Sequence, residues 1–143
     1  MKAAIPFLLA LALAGCALRS PAPPGDDALY RALGGQQGIA AIVEELLVRA
    51  VEDPRIGRHF AKTDLVQLHE RLSEQICFEA GGPCSYRGRS MEEAHAGMQL
   101  DEADFNRLVE HLVDAMEARK VPTRAQNRLL RRLAPMRAQV IHR

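Results

Sequence analysis

Apolar side chains recur every three or four residues along most of the chain, which is the period of an amphipathic α-helix. This period predicts a short helix over 28–32, long helices over about 37–52 and 65–79, a short helix over 91–96, and two further long helices that begin near Asp101 and Thr123. No segment has the alternating Val, Ile and Thr pattern of a β-strand. The pattern predicts an all-α fold in which two antiparallel helix pairs cross and leave a slot that suits a flat ligand.

Capping residues and helix breakers predict where these helices end. Asp53 is followed by a proline and stops the second helix, and Asp64 can cap the third, with the Gln67 side chain three positions along reaching back. Ser90 is the predicted N-cap of the short helix. Thr123 and Gln126 have the spacing of a capping box for the last helix. These signals divide the chain into helices with short connections.

The first 27 residues follow a different pattern from the rest. Lys2 precedes an apolar run over 3–14, which is shorter than the roughly 20 residues needed to span a bilayer and is typical of a secretory signal. The run ends at Leu13-Ala14-Gly15-Cys16, which resembles the lipobox of bacterial lipoproteins, where the cysteine is acylated. The sequence therefore predicts a signal peptide over 1–15, a lipid on Cys16, a Pro-rich tether over 16–27 and a folded domain over 28–143.

These predictions place the protein outside the cytoplasm, anchored to a membrane by lipid and facing the periplasm or the cell exterior. The alternative is an ordinary signal peptide cut near Ala14 or Ala17, which would release the protein. The two interpretations differ in the residue at which the mature chain begins.

Composition narrows the class of partner. The chain has 19 basic and 18 acidic residues, a formal net charge of +1 and no block of like charges. Electrostatic attraction to nucleic acid is therefore not supported. The length suits one domain, which we expect to be a monomer.

Histidines are the candidate metal ligands. The five are His59, His69, His95, His111 and His142. Taken singly, each is more often a surface or core residue than a ligand. No pair has the zinc spacing His-Glu-x-x-His, and no CxxCH motif for covalent haem attachment occurs.

The segment from Met91 to Leu100 changes this assessment, because it carries His95, Gly97 and then a new acidic helix start. It resembles the proximal segment of the group I truncated haemoglobins. Gly34-Gly35 matches the glycine pair after that family's short first helix, and the helices that follow His95 match its last two. Gly81-Gly82-Pro83 matches the loop before the proximal helix. The resemblance covers about residues 28–141 and implies a truncated globin fold, a two-over-two helical sandwich around a haem.

The resemblance implies a set of cofactor-binding residues. His95 would be the proximal ligand of the iron, and Phe60 would stack on the porphyrin. Arg71 and Tyr86 fall where the family places groups near the haem propionates, and an Arg can pair with a carboxylate through two hydrogen bonds. For Arg71, a solvated helix face is the alternative.

The sequence departs from the best-known members on the other side of the haem, where those place Tyr and Gln. Here the corresponding positions are Leu47 and Leu72, and Leu68 lies between them in the expected pocket. His69 is adjacent to Leu68 and should point away from the iron, toward the surface. We therefore expect an apolar distal pocket that offers no hydrogen-bond donor to a bound gas.

The function implied is reversible binding of oxygen, or of nitric oxide or carbon monoxide, at the iron of haem b. One alternative is a haem-dependent redox enzyme, such as a nitric oxide dioxygenase or a peroxidase, supported by an unidentified reductase; it would need a polar distal group. Another is a haem-free, exported helical binding module. Whether there is turnover stays open, although gas binding is favoured.

Cys77 and Cys84 are the two cysteines of the folded part. In an exported protein they could form a disulfide across the glycine loop. Two free thiols are the alternative. Neither cysteine has an activating histidine beside it in the sequence, so a thiol enzyme is not indicated.

Overall fold

The computed structural model describes residues 26–143. The predicted signal peptide, Cys16 and nearly all of the tether lie outside these residues. Within the described part, no helix is both long enough and apolar enough to cross a membrane.

The all-α prediction is confirmed, since residues 26–143 form helices, turns and loops without a strand. The helices are α1 (Ala28–Ala32), α2 (Gly35–Glu52), α3 (Leu65–Glu79), α4 (Met91–His95), α5 (Glu102–Ala118), α6 (Thr123–Leu133) and α7 (Arg137–Val140). Two 3₁₀ turns, Gly57–Phe60 and Ala134–Met136, join α2 to α3 and α6 to α7.

Two of the predicted N-caps are present. The Asp64 carboxylate accepts a hydrogen bond from the backbone N–H of Gln67 at 3.0 Å, without a reciprocal bond from the Gln67 side chain. At the start of α4, Ser90 Oγ accepts from the backbone N–H of Glu93, and the Glu93 carboxylate accepts from the backbone N–H of Ser90. This capping box satisfies two N–H groups that a helix start leaves unpaired, so it stabilises a helix of only five residues.

The capping box predicted at Thr123 is wrong. Pro122 occupies the N-cap position in an extended conformation, so Thr123 is already the first helical residue and caps nothing. The Gln126 side chain is buried and donates instead to the carbonyl of Val121 at 3.0 Å. The single last helix that was predicted is also divided, because Pro135 lies in the 3₁₀ turn between α6 and α7 and has no N–H to continue the helical ladder.

The core is built around α2. His69 on α3 bonds Ala40 near the start of α2, whereas the apolar residues near the end of α2 face the start of α3, so the two helices run antiparallel. The pairs Arg49–Asp114 and Asp53–His111 show in the same way that α5 runs antiparallel to α2. Side chains that are almost fully buried where these helices meet include Ile39, Ile42, Val43, Leu46, Leu112, Met116 and Leu129.

A buried charged cluster ties the end of α2 to α5. The Asp53 side chain is 4% exposed, and its carboxylate accepts from Arg107 Nε, from His111 Nε2 at 2.8 Å and from the backbone N–H of Arg55 at 2.8 Å. These donors, Arg107 first, hold the pKa of Asp53 far below its ordinary value of 3.8 even though burial acts in the opposite direction. Asp53 is therefore more than the helix stop that the sequence indicated.

Candidate functional site

A cleft of about 580 Å³ opens between α3, the segment 86–91 and α4. It lies next to an inner cavity of about 120 Å³ that reaches α2 and α5. Both volumes are lined by Phe60, Leu68, Leu72 and His95, while Arg71 and Tyr86 line the cleft alone and Leu47 lines the inner cavity alone. The structure thus brings all seven cofactor-binding residues predicted from the sequence to one continuous site.

His95 is the last residue of α4, and its ring has a defined proton position. Nδ1 lies 2.7 Å from the carbonyl oxygen of Met91. Because a carbonyl can only accept, Nδ1 must carry the proton, and in the neutral ring Nε2 is left with a free lone pair. Gly97 then turns the chain at a φ of +78°, a backbone conformation that favours glycine. The half-buried ring therefore has one nitrogen, Nε2, that is able to ligate a metal.

The inner cavity is mainly apolar. Leu47, Leu68 and Leu72 face it from α2 and α3, as the sequence predicted for the distal side. Its lining also includes a polar pair that the sequence did not predict: His59 Nε2 lies 3.3 Å from Asp104 Oδ2, and both side chains are largely buried. The partners are 45 positions apart, so the one sequence signal was the position of His59 next to Phe60.

The rim of the cleft is basic. Lys62, Arg71, Arg87 and Arg89 line it. Arg71 also donates to the Glu74 carboxylate at 2.8 Å, and this bond lowers the pKa of Glu74. The Arg71 side chain is 38% exposed. It therefore both lines the cleft and contacts solvent, which the sequence analysis gave as alternatives.

Tyr86 is engaged within its own loop. Its hydroxyl donates to the Arg89 carbonyl at 2.7 Å, and burial raises the pKa of the phenol, which stays neutral at physiological pH. Tyr86 therefore shapes the wall of the cleft in this structure. A carboxylate at the rim would meet the guanidinium groups first.

The other three histidines line neither the cleft nor the inner cavity, and of these His142 is exposed near the end of the chain. His69 points away from the cleft, as expected, but it is half-buried between α2 and α3 rather than on the surface, and its Nε2 donates to the Ala40 carbonyl at 2.9 Å. His111 is in the Asp53 cluster. Among residues 26–143, no group of three or more His, Cys, Asp or Glu side chains could hold a metal ion by itself.

The two cysteines of the folded part are bonded to each other. The disulfide joins Cys77, in the last turn of α3, to Cys84 in the loop before α4, with Cα atoms 6.2 Å apart. Gly82 lies against this bond, since a Cβ added there would approach Cys77 Sγ and the Tyr30 ring to less than 3 Å. The loop that leads to α4 is therefore fixed at one point to α3.

The chemistry of the site suits one class of ligand. A flat apolar molecule fits between the leucines and Phe60, anionic groups fit the basic rim, and a metal centre in that molecule could be ligated by His95 Nε2. The volume lies in the usual range for small-molecule and cofactor sites.

Comparison with known proteins gives a consistent family. The model of the Bacterial-like globin family matches residues 28–142. A group 1 truncated hemoglobin of Nostoc commune is 31% identical over 115 residues, which cover 80% of this chain and 98% of that protein. One from Mycolicibacterium paratuberculosis is 28% identical and covers 78% of this chain and 82% of that protein.

Solved structures agree with the sequence comparisons. The truncated hemoglobin of Tetrahymena pyriformis in its Fe(III) form superposes with a TM-score of 0.78 at 25% identity, covering 80% of this chain and 98% of that one. The 2/2 hemoglobin of Synechococcus sp. PCC 7002, determined in the cyanomet state with covalently attached heme, gives a TM-score of 0.75 with the same identity and coverage. The family match spans nearly the whole described chain, and the helices keep the two-over-two arrangement. The chain therefore belongs to the bacterial-like globin family, among the group 1 truncated haemoglobins.

Proposed function

We propose that the protein binds haem b in the cleft, with His95 as its iron ligand, and reversibly binds a diatomic gas there. The observation that carries this proposal is the His95 ring, whose Nδ1 is occupied by the Met91 carbonyl while Nε2 is free beside the cleft. Haem supplies an iron with a coordination position at which oxygen, nitric oxide or carbon monoxide can bind. Family membership supports this chemistry, and the residues of the cleft fit it.

The remaining residues would hold the porphyrin by shape and charge. Phe60, Leu68 and Leu72 offer an apolar surface that excludes water from the ring. The basic rim, which includes Arg71, offers charge-assisted hydrogen bonds to the two propionates. Arg71 has five N–H donors and uses one on Glu74, so it keeps donors for a propionate.

A haem titration tests the proposal directly. Purified protein mixed with haem should take up one equivalent and develop the sharp absorption band of protein-bound haem. The reduced sample should shift that band when carbon monoxide is added. If the spectrum at one equivalent remains that of free haem, the haem-free binding module is the better description.

We also propose that the protein is exported and anchored by lipid on Cys16. The support is the apolar run over 3–14 followed by Leu13 to Cys16, which precede the described residues. Lipid chains would hold the domain at a membrane surface through the tether over 16–27. The mature protein should begin at Cys16 and partition into detergent, and Cys16→Ser should move it to the aqueous fraction. A membrane-bound Cys16→Ser protein would contradict the anchor.

A further inference from the structure

The loop between α3 and α4 forms part of the cleft and has few ties to the rest of the molecule. Its residues Tyr86, Arg87 and Arg89 line the cleft, and the chain then enters the helix that carries His95. Apart from the disulfide, the loop meets α3 at Glu74, whose pKa is lowered first by Arg71 and also by Arg87. The hydrogen bonds of residues 83–89 in the described chain stay within the loop or reach Gly82.

The disulfide also lies where another protein can reach it. Cys77 is 7% exposed and lies against Gly82, whereas Cys84 is only half-buried. Both cysteines line a groove of about 380 Å³, whose lining also includes His69 and Glu70 of α3 and shares no residue with the cleft. A groove with an accessible disulfide suits a partner that carries a reactive thiol.

We propose that Cys77–Cys84 is a thiol–disulfide exchange site, and that its reduction frees the loop and loosens the haem cleft. The electron donor is a dithiol, as in a thiol oxidoreductase. Its thiolate attacks Cys84 Sγ, the Cys77–Cys84 bond breaks, and the electron pair goes to Cys77 Sγ, which takes up a proton. The second thiol of the donor then attacks the donor's first sulfur in the mixed disulfide. Cys84 Sγ leaves with the electron pair of that bond and takes up a proton.

A dithiol is required for a reason that the structure supplies. Cys77 stays within bonding reach of Cys84 while the mixed disulfide exists, so a monothiol would be displaced again by Cys77. A donor with a second thiol completes the exchange before the bond re-forms. The net result is a dithiol in this chain and a disulfide in the donor, with two electrons and two protons transferred.

The consequence for haem follows from loop closure, and it rests on the haem binding proposed above. A bond that closes a ring across a separation of 7 residues restricts the loop's open conformations. Loop-closure entropy for a ring of this size corresponds to an upper limit of roughly sixtyfold in the open-to-closed ratio, and we expect haem loss to become about tenfold faster after reduction. Of the loop residues, Cys84 packs against the core around α2 and residues 85–89 do not, so we expect that core to keep its structure after reduction.

The test uses the full chain with Cys16→Ser, which leaves Cys77 and Cys84 as the only cysteines of three. Haem transfer to excess apomyoglobin is measured before and after treatment with dithiothreitol, with thiol content checked by mass spectrometry. The matched control adds Cys77→Ser and Cys84→Ser, which should lose haem quickly in both conditions. Hydrogen exchange of amides 85–90 is followed in parallel, and circular dichroism confirms that the helices persist.

Faster haem loss together with faster exchange at 85–90 in the reduced protein would support the proposal. Equal rates of haem loss in fully oxidised and fully reduced protein would overturn it, as would a disulfide that dithiothreitol reduces only after the protein unfolds. A protein that takes up no haem in either state would instead contradict the proposed function. In that case the hydrogen exchange still tests whether the bond holds the loop.

Discussion

The two walls of the cleft are held in place by different forces. The wall formed by α3 is a 15-residue helix that packs along α2, whose inner face contributes six buried side chains to the core. The wall formed by α4 has five residues, none of them buried, and packs mainly against the short α7. Apolar burial stabilises the first wall, whereas a capping box, the surface ion pair Arg143–Glu92 and the covalently tied loop stabilise the second.

Because the two walls are stabilised differently, we expect haem affinity and the stability of the apoprotein to depend on different residues. Isolated helices shorter than about 12–15 residues are marginal in water, so α4 depends on its cap, its loop and the ligand that we propose for His95. Changes in α4 should therefore alter how tightly haem is held and leave the unfolding of the apoprotein nearly unchanged. Changes around α2 and α5 should do the reverse.

The largest expected effect is on haem binding in His95→Ala. Since loss of a residue that merely orients a metal ligand often costs 10- to 100-fold in affinity, loss of the ligand itself should lower haem affinity by about a hundredfold or more. The apoprotein should unfold at nearly the same temperature as the wild type, because His95 is not part of the core. Haem titration followed by absorption, with calorimetry of the apoprotein, measures both quantities.

His69→Ala is the matched control for this prediction, since His69 is also half-buried but lies outside the cleft. It should keep its haem. Normal haem affinity in His95→Ala, or a loss in His69→Ala of the same size, would show that the iron ligand has been assigned to the wrong residue.

The second prediction concerns the buried Asp53 cluster that ties the end of α2 to α5. Asp53→Asn should lower the melting temperature of the apoprotein by about 5 °C or more, because Arg107 and His111 lose a charged partner inside the protein. Haem affinity measured well below that melting temperature should change little. Calorimetry of wild type and variant at pH 7 provides the measurement.

The same cluster predicts a pH dependence. The pKa of Asp53 is lower in the folded chain than in the unfolded one, so its contribution to stability is fully present above about pH 4 and is lost as the pH falls below that value. Asp53→Asn has no group to protonate there and should lose less stability than the wild type between pH 5 and pH 3. If both proteins lose the same stability between pH 5 and pH 3, then carboxylates other than Asp53 account for the pH dependence.

The next prediction tests whether the inner cavity lacks a hydrogen-bond donor for a bound gas. A hydrogen bond to a partly charged bound oxygen contributes about 1.5–3 kcal/mol, or roughly tenfold to a hundredfold in release rate. The apolar set of Leu47, Leu68 and Leu72 lacks such a donor, so the wild type should release oxygen rapidly and Leu47→Tyr should slow release about tenfold. Leu47→Phe adds the ring without the hydroxyl and should not slow it. Stopped-flow measurement of oxygen release distinguishes the three proteins.

Slow release in the wild type would indicate a donor that is already in the cavity. His59 is then the first residue to replace, because it lines the same cavity and its Nε2 is buried without a well-aligned hydrogen-bond partner. A His59→Leu variant that restores rapid release would identify it.

The smallest expected effects come from a matched pair of helix caps. Ser90→Ala and Asp64→Ala each remove an N-cap worth about 1 kcal/mol, one from α4 and one from α3. Ser90→Ala should accelerate haem loss about fivefold or less with an unchanged melting temperature of the apoprotein, whereas Asp64→Ala should lower that melting temperature by a few degrees. Equal effects of both variants on both quantities would contradict the separation of the two walls.

Much of the helical fold could be predicted because its signals are local. The apolar period of 65–79 and the caps at Asp64 and Ser90 depend on contacts within four residues, and the structure has them where the sequence placed them. The capping box at Thr123 failed for a local reason as well, since Pro122 already occupies the cap position. The residues of the cleft were predicted from the resemblance to a family, not from spacing alone.

By itself, then, the sequence determined the helices, the family and the histidine that ends α4, because periodicity, caps and short motifs are properties of neighbouring residues. Only the tertiary structure decided that Asp53 is buried with His111, 58 positions away, and that His59 lies beside Asp104 at the inner cavity. It also decided that His69 of α3 is half-buried against α2. A charged or polar residue shows in sequence what it could donate or accept, but its burial and its partner depend on which helices pack together, and that packing is a property of the whole core.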